Sequence, residues 1–315
     1  MINTIAVLGA GVMGYGIALN FALAGYTVHL MDVAPQIRDK AFHNMRTSLE
    51  VMVEEGMHAE EEAVAALPRI HPFTDRNAAC READLVLEAM PENLELKQEM
   101  FREIGEVCKP ECIFASNTSS LKLTEVCATL SEARKERCVI AHYFNPAHLI
   151  PLVEIMNHPQ TPESVLEEVE AMYKRSGKVT IRVRKDINGM IANRIQAAIN
   201  REALWLLEHG YCSEQDLGRA MVFGPCFRYA TTDYLEIVDM GGLDIWTNVM
   251  DRLYPELCNS EKVSPVMRDK AEAGNKGWKS GKGFYEYKDD DKEKVFARFN
   301  RNLLRQLKVS KYYIY

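Results

Sequence analysis

Three groups of residues in this sequence have the types and spacing to do chemistry. The first is Gly9-Ala10-Gly11-Val12-Met13-Gly14, directly after the apolar run Ile5-Ala6-Val7-Leu8. Glycines at these places serve a tight turn, a close backbone approach to a pyrophosphate, and close helix–strand packing. A helix opening there offers free N–H groups and a positive dipole end to phosphates. Asp32 closes the next apolar run, Thr27–Met31. A carboxylate at that place accepts hydrogen bonds from ribose hydroxyls and repels a 2′-phosphate. A glycine triplet alone is a weak signal. Strand, glycines, helix and acid in register predict NAD, and not NADP, as the cofactor.

The second group is Ala115-Ser116-Asn117-Thr118-Ser119-Ser120, and the third is Ala141-His142-Tyr143-Phe144-Asn145-Pro146 followed by Leu152-Val153-Glu154-Ile155. Oxidising a secondary alcohol needs a base for the hydroxyl proton while hydride leaves the carbon. A histidine, with an ordinary pKa of about 6.5, can hold and return that proton near neutrality. His142 stands at a predicted strand end, where doubly wound sheets collect ligands. A histidine there is more often structural when alone, and pairing with Glu154 favours the catalytic reading. Alternation along Val153-Glu154-Ile155, taken alone, could equally put the glutamate on an outer, solvated face.

In their order along the chain, these segments resemble the L-3-hydroxyacyl-CoA dehydrogenase family, whose active site is marked by SNTSSL, HFFNP and a following VE. The resemblance runs from Ile5 to Gly281-Lys282-Gly283-Phe284-Tyr285. It implies that Glu154 accepts a hydrogen bond from the His142 imidazole and stabilises the imidazolium formed during turnover. It implies that Ser119 and Asn193 hold the C3 oxygen of the substrate. Glu92 and Lys97, within and after Glu88-Ala89-Met90-Pro91-Glu92-Asn93, would position the nicotinamide half of the cofactor, and Asn117 is counted with the cofactor-binding residues. Where the family usually has proline before Gly189, this chain has Asn188.

The resemblance favours a 3-hydroxyacyl-CoA as substrate, interconverted with the 3-ketoacyl-CoA. Two departures keep a free 3-hydroxy acid open, since relatives acting on carnitine or sugar acids share the scaffold. The segment expected to help bind the CoA phosphates has Arg38, Lys40 and Arg46 but then Glu54-Glu55 and Glu60-Glu61-Glu62. In Phe223-Gly224-Pro225-Cys226-Phe227-Arg228, Arg228 could fork onto a free carboxylate, or could serve an ordinary surface or inter-subunit ion pair. A non-catalytic NAD-binding protein is a third class. Keeping Ser119, His142, Glu154 and Asn193 together argues against it.

These residues need a scaffold to position them. The first half alternates short apolar runs with helical stretches, which predicts an α/β, Rossmann-type, mostly parallel doubly wound sheet. Candidate strands are Ile5–Leu8, Thr27–Met31, Leu85–Glu88, Ile113–Ala115, Cys138–Ala141 and Val179–Val183, with a helical pair over 35–67. After Asp186 the pattern changes. A helical run from Met190 to Glu208 is closed by Gly210, Ser213 reads as an N-cap, and only Gly283–Tyr287 suggests a further strand. The expected domains are 1–185 for NAD and a helical 186–315 for substrate and dimerisation, with the reaction in the cleft between them. Residues 289–308 predict a surface helix, and the final Tyr-Tyr-Ile-Tyr would dock or fray.

Composition narrows the classes. The chain has 315 residues, 47% hydrophobic, 26% charged, with a net charge of −7. The acidic balance argues against a general nucleic-acid surface. No run approaches the roughly 20 apolar residues that span a bilayer. Eight cysteines show no CxxC pair and no zinc spacing, so neither metal nor disulfides are expected. With no leader before the first strand, the expected compartment is the cytoplasm. The apolar surplus on the second-domain helices, and the family's habit, predict a homodimer.

Overall fold

Parallel strands that are covered on both faces read as continuous apolar runs, because neither side can afford polar side chains. The four central runs do so. In the computed structural model, which describes residues 2–310 apart from the side chains of 289–291 and 293, they form the middle of an eight-stranded sheet. The strands are β1 (Thr4–Leu8), β2 (Thr27–Met31), β3 (Ile70–Phe73), β4 (Leu85–Glu88), β5 (Ile113–Ser116), β6 (Cys138–Tyr143), β7 (Leu152–Asn157) and β8 (Val179–Arg182). Their spatial order is β3-β2-β1-β4-β5-β6-β7-β8. All pairs are parallel except β6 with β7. This is the doubly wound architecture that the alternation predicts, and its order reverses between β1 and β4, where such sheets open a ligand crevice.

Two strands escape the sequence pattern, each for a physical reason. β3 reads Ile-His-Pro-Phe, and proline cannot donate to a ladder. It is tolerated because β3 lies at the sheet edge. β7 runs against β6, though parallel to β8, because Phe144–Pro151 is too short for a helical crossover and can only return antiparallel. The strand expected at Gly283–Tyr287 does not form. That segment has only isolated bridges, Gly277 with Lys282 and Lys282 with Glu286.

Register lines up the candidate site residues. Met31, Leu8, Glu88, Ser116 and Ile140 form one row across β2, β1, β4, β5 and β6. Asp32, Gly9 and Asn117 come one residue after that row, and His142 two residues after it. Partners in a row share a face, so His142 lies on the same face as Glu88 and Ser116.

The chain divides into two compact units, one ending at Ile191 and the other beginning at Ala192. The second comprises helices Ala192–Glu208, Glu214–Phe223, Pro225–Tyr229, Tyr234–Gly241, Leu243–Leu253, Pro265–Glu272 and Asp289–Ser310. The first of these starts two residues later than the periodicity suggests, because Met190 has φ 50°, outside the helical region. Gly210 closes it at φ 72°, and Ser213 caps the next by accepting from the Asp216 N–H at 3.1 Å. The closing Tyr312-Tyr313-Ile314-Tyr315 lies outside the described residues.

Candidate functional site

The glycine loop is shaped for a dinucleotide, and each glycine is required differently. Gly9 has φ 101°, and a side chain there would meet the Ala89 carbonyl oxygen at 2.7 Å. A Cβ on Gly14 would lie 1.7 Å from the Gly9 oxygen, so only glycine lets the helix Gly14–Leu23 start that close to β1. Around Gly11 nothing comes within 4 Å, which leaves its backbone open to a phosphate. The helix has no acidic side chain in its first turn, so its positive end is not neutralised. Asp32 accepts from the Ala10 N–H and the Ala34 N–H, both at 3.0 Å. Those bonds fix the carboxylate beside the loop and leave lone pairs for ribose hydroxyls. The residues present therefore fit NAD: the loop N–H groups for its pyrophosphate and Asp32 for its adenosine ribose.

At the ends of β4 and β5 a buried ionic network holds the serine-rich loop. Lys97 is a core residue, 1% exposed. Its Nζ donates to both Glu88 oxygens at 2.6 and 2.7 Å and lies 3.3 Å from Glu92 Oε2. Glu88, fully buried, also accepts from the Ser116 hydroxyl and from the Met90 N–H at 3.1 Å. Glu92 accepts from the Thr118 hydroxyl, the Ser120 hydroxyl at 2.8 Å, and the N–H groups of Ser119 and Ser120 at 3.3 and 3.1 Å. Desolvation would raise the Glu92 carboxyl, but the Thr118 and Ser120 hydrogen bonds and the Lys97 charge bring it below its ordinary value. The Lys97 ammonium is thus committed to protein carboxylates. The Ser119 hydroxyl takes no part in this clamp. Asn117 is half-buried, and its Oδ1 accepts from the Tyr143 N–H at 2.9 Å, tying the end of β5 to the end of β6.

His142 and Glu154 are register partners across the antiparallel pair. Cross-strand partners share a face, and the imidazole Nδ1 lies 2.9 Å from Glu154 Oε2. Alternation left an outer glutamate open, but the residue is fully buried because β7 lies between β6 and β8. Its other oxygen accepts from the Ile191 N–H at 3.0 Å, which the turn at Met190 presents. The Phe144 ring meets the imidazole at 4.9 Å and 65°, so the ring is held by an edge contact as well as by the carboxylate. With Nδ1–H donated to Glu154, Nε2 carries the lone pair that can take a proton.

Two expected site residues belong to the second unit. Asn193 is half-buried in the first turn of Ala192–Glu208. Arg228 is exposed, with its guanidinium 5.5 Å from the Tyr229 ring centre and 6.0 Å from that of Trp246. Among the described residues it has no carboxylate partner. In the first unit Arg38 donates to the Asp32 carbonyl, so one of the three cations expected to face CoA phosphates is already engaged. No group of three or more His, Cys, Asp or Glu among the described residues could hold a metal ion. Sequence reasoning gave no role to Glu88, Ser116, Thr118 or Phe144. The one available signal was an acid closing an apolar strand, Leu-Val-Leu-Glu, at the crevice end.

Two family patterns cover most of the chain: "3-hydroxyacyl-CoA dehydrogenase, NAD binding domain" over residues 4–187 and "3-hydroxyacyl-CoA dehydrogenase, C-terminal domain" over residues 189–287. A relative from Mesorhizobium japonicum, 5-formyl-3-hydroxy-2-methylpyridine 4-carboxylate 5-dehydrogenase, is 32% identical over 96% of this chain and 97% of its own. A crystal structure of a 5-formyl-3-hydroxy-2-methylpyridine 4-carboxylic acid 5-dehydrogenase, an NAD+-dependent dismutase, covers 100% of both chains at TM-score 0.91 and 30% identity. The (S)-3-hydroxybutyryl-CoA dehydrogenase from Ralstonia eutropha covers 92% of this chain and 100% of its own, at TM-score 0.73 and 32% identity.

Proposed function

The chain belongs to the 3-hydroxyacyl-CoA dehydrogenase family and is an NAD-dependent oxidoreductase, and from that premise we propose that it interconverts a 3-hydroxy and a 3-keto group with His142 as the proton carrier. The observation that carries this reading is the buried His142–Glu154 contact at 2.9 Å. NAD, when bound, supplies the hydride acceptor, and in reduced form the donor. In the oxidation direction Nε2 of His142 takes the hydroxyl proton, and Glu154 stabilises the imidazolium through Nδ1–H. In reduction the same nitrogen returns the proton to the C3 oxygen. The Ser119 hydroxyl, free of the clamp, and the Asn193 amide hold that oxygen as charge develops on it. His142→Asn should lower turnover by about a thousandfold or more while NAD still binds. Turnover within tenfold of wild type would sink the assignment.

For the substrate, family membership supports the 3-hydroxyacyl-CoA reading. The features of this chain favour a free acid. Arg228 is an exposed cation with no carboxylate partner among the described residues, the helix pair Pro35–Glu54 and Glu60–Ala66 carries acidic groups toward its tip, and the free-acid dehydrogenase matches the chain end to end. NADH oxidation with acetoacetyl-CoA, set against NADH formation with free hydroxy acids, separates the two. Rapid turnover of the thioester would restore the acyl-CoA reading and leave Arg228 incidental.

A homodimer formed through the second unit completes the proposal. That unit exposes Phe223, Phe227, Leu235, Met240, Leu243 and Tyr254, each more than half accessible, and its described side chains include few buried apolar ones. Patches of this kind on folded proteins mark association surfaces. A monomeric mass by sedimentation at micromolar concentration would refute it. A cytoplasmic location belongs to the same reading, supported by eight unpaired thiols.

A further inference from the structure

His142 and Glu154 ride on the two arms of a hairpin, and the loop between those arms, Phe144–Pro151, has its own fastening. Lys178 immediately precedes β8, is 7% exposed, and has no carboxylate partner among the described residues. Its Nζ donates to the carbonyls of Ala147 at 2.6 Å and Ile150 at 2.7 Å, and lies 5.7 Å from the ring centre of Tyr143. The loop it grips touches both halves of the site. At one end Phe144 packs on the His142 imidazole. At the other, Ala147 and His148 lie under the cofactor helix so closely that a Cβ on Gly16 would come within 3.0 Å of His148 Nδ1. Burying an ammonium without an anion is costly, and burial pushes Lys178 down to about 7. A surface lysine in a Ser-Gly-Lys turn would have no reason to bear that cost.

We propose that Lys178 is a positioning residue for the reaction assigned to His142: by gripping Ala147 and Ile150 it holds the β6–β7 loop against the cofactor helix and so keeps the imidazole aimed. This rests on the assignment of His142 as proton carrier. A neutral lysine still donates two hydrogen bonds, so the grip survives loss of its charge.

The test compares wild type with Lys178→Met, which keeps the stem and removes the donors. Four readouts are expected to separate. Turnover should fall on the order of 100-fold, the scale of a small misplacement at a reacting centre, while the dissociation constant for NAD moves less than about threefold. Hydrogen exchange should quicken at 144–151 by about tenfold or more but stay at wild-type rates in β1 and β2. The downfield imidazole N–H resonance of His142, identified by its loss in His142→Asn, should broaden or vanish. Exchange that quickens evenly across the first unit, or an unchanged imidazole resonance, would overturn the proposal. The exchange and resonance readouts need no substrate, so they stand even if the assigned reaction fails. Should Lys178→Met not fold, Lys178→Gln, which keeps one donor group, carries the same comparison.

Discussion

Lys97 and Lys178 are both sunk in the first unit, each beside a loop of the same site, and they are balanced in opposite ways. Lys97 meets two carboxylates, Glu88 at 2.6 Å and Glu92 at 3.3 Å. Lys178 meets two backbone carbonyls. The first arrangement is an ion pair whose members depend on one another, because a buried charge stripped of its partner is far more costly than a missing pair. The second is a neutral grip by a charged group, in which the lysine bears the desolvation and the carbonyls lose only hydrogen bonds. The serine loop, which carries Ser119, is held by charge. The hairpin loop, which must keep two strands in register, is held by geometry.

Removing each lysine should therefore cost different amounts. Lys97→Met leaves Glu88 buried beside neutral donors, and denaturant unfolding should show a loss of about 3–5 kcal/mol. Adding Glu88→Gln to that variant should recover part of it. A loss below about 1 kcal/mol for Lys97→Met alone would mean that Glu88 is not held as an ion, and the contrast would collapse. Lys178→Met leaves two carbonyls short of a donor but relieves a desolvated ammonium. Its expected loss is about 1–3 kcal/mol, and a value above that of Lys97→Met would invert the comparison.

The effects smallest per step are slopes in pH. The folded state holds Lys178 at about 7, below the ordinary lysine value of about 10.4. Between those two values the unfolded chain binds more protons, so this group makes stability rise with pH across that window. The slope is at most about 1.4 kcal/mol per pH unit for one proton, and Lys178→Met should remove it. His148 gives the acid counterpart. Burial, and then the Lys178 charge, push it down to about 4. Stability should fall as pH drops from about 6.5 toward 4, and His148→Gln should flatten that limb. Equal slopes in variant and wild type, read from denaturation midpoints across pH, would show that these groups titrate normally.

Much of the first unit was legible because its signals are local. β1, β2 and β4 announce themselves as buried apolar runs, and the glycines of the first turn are needed for backbone reasons that any neighbouring strand would impose. β3 hid behind Pro72, which only an edge position tolerates. Alternation alone could not place Glu154, because it assumes one wet face, and β7 has none. Lys97 and Glu88 stand nine residues apart on a helix and a strand end, a spacing with no periodic meaning. Lys178 follows Ser176-Gly177, and nothing in that local sequence marks it as buried.

The sequence by itself determined which groups are present and in what order: a glycine turn after the first strand, an acid after the second, a serine, a histidine and an asparagine. Those follow from residue type and short-range backbone geometry, which act along the chain. The tertiary structure decided which groups are buried and what each one faces. It made Glu154 the partner of His142, Lys97 the tie between two carboxylates, and Lys178 the grip on two loop carbonyls 28 and 31 residues away in sequence. Desolvation and pairing depend on distance through space, and that distance is set only when the sheet has closed its register.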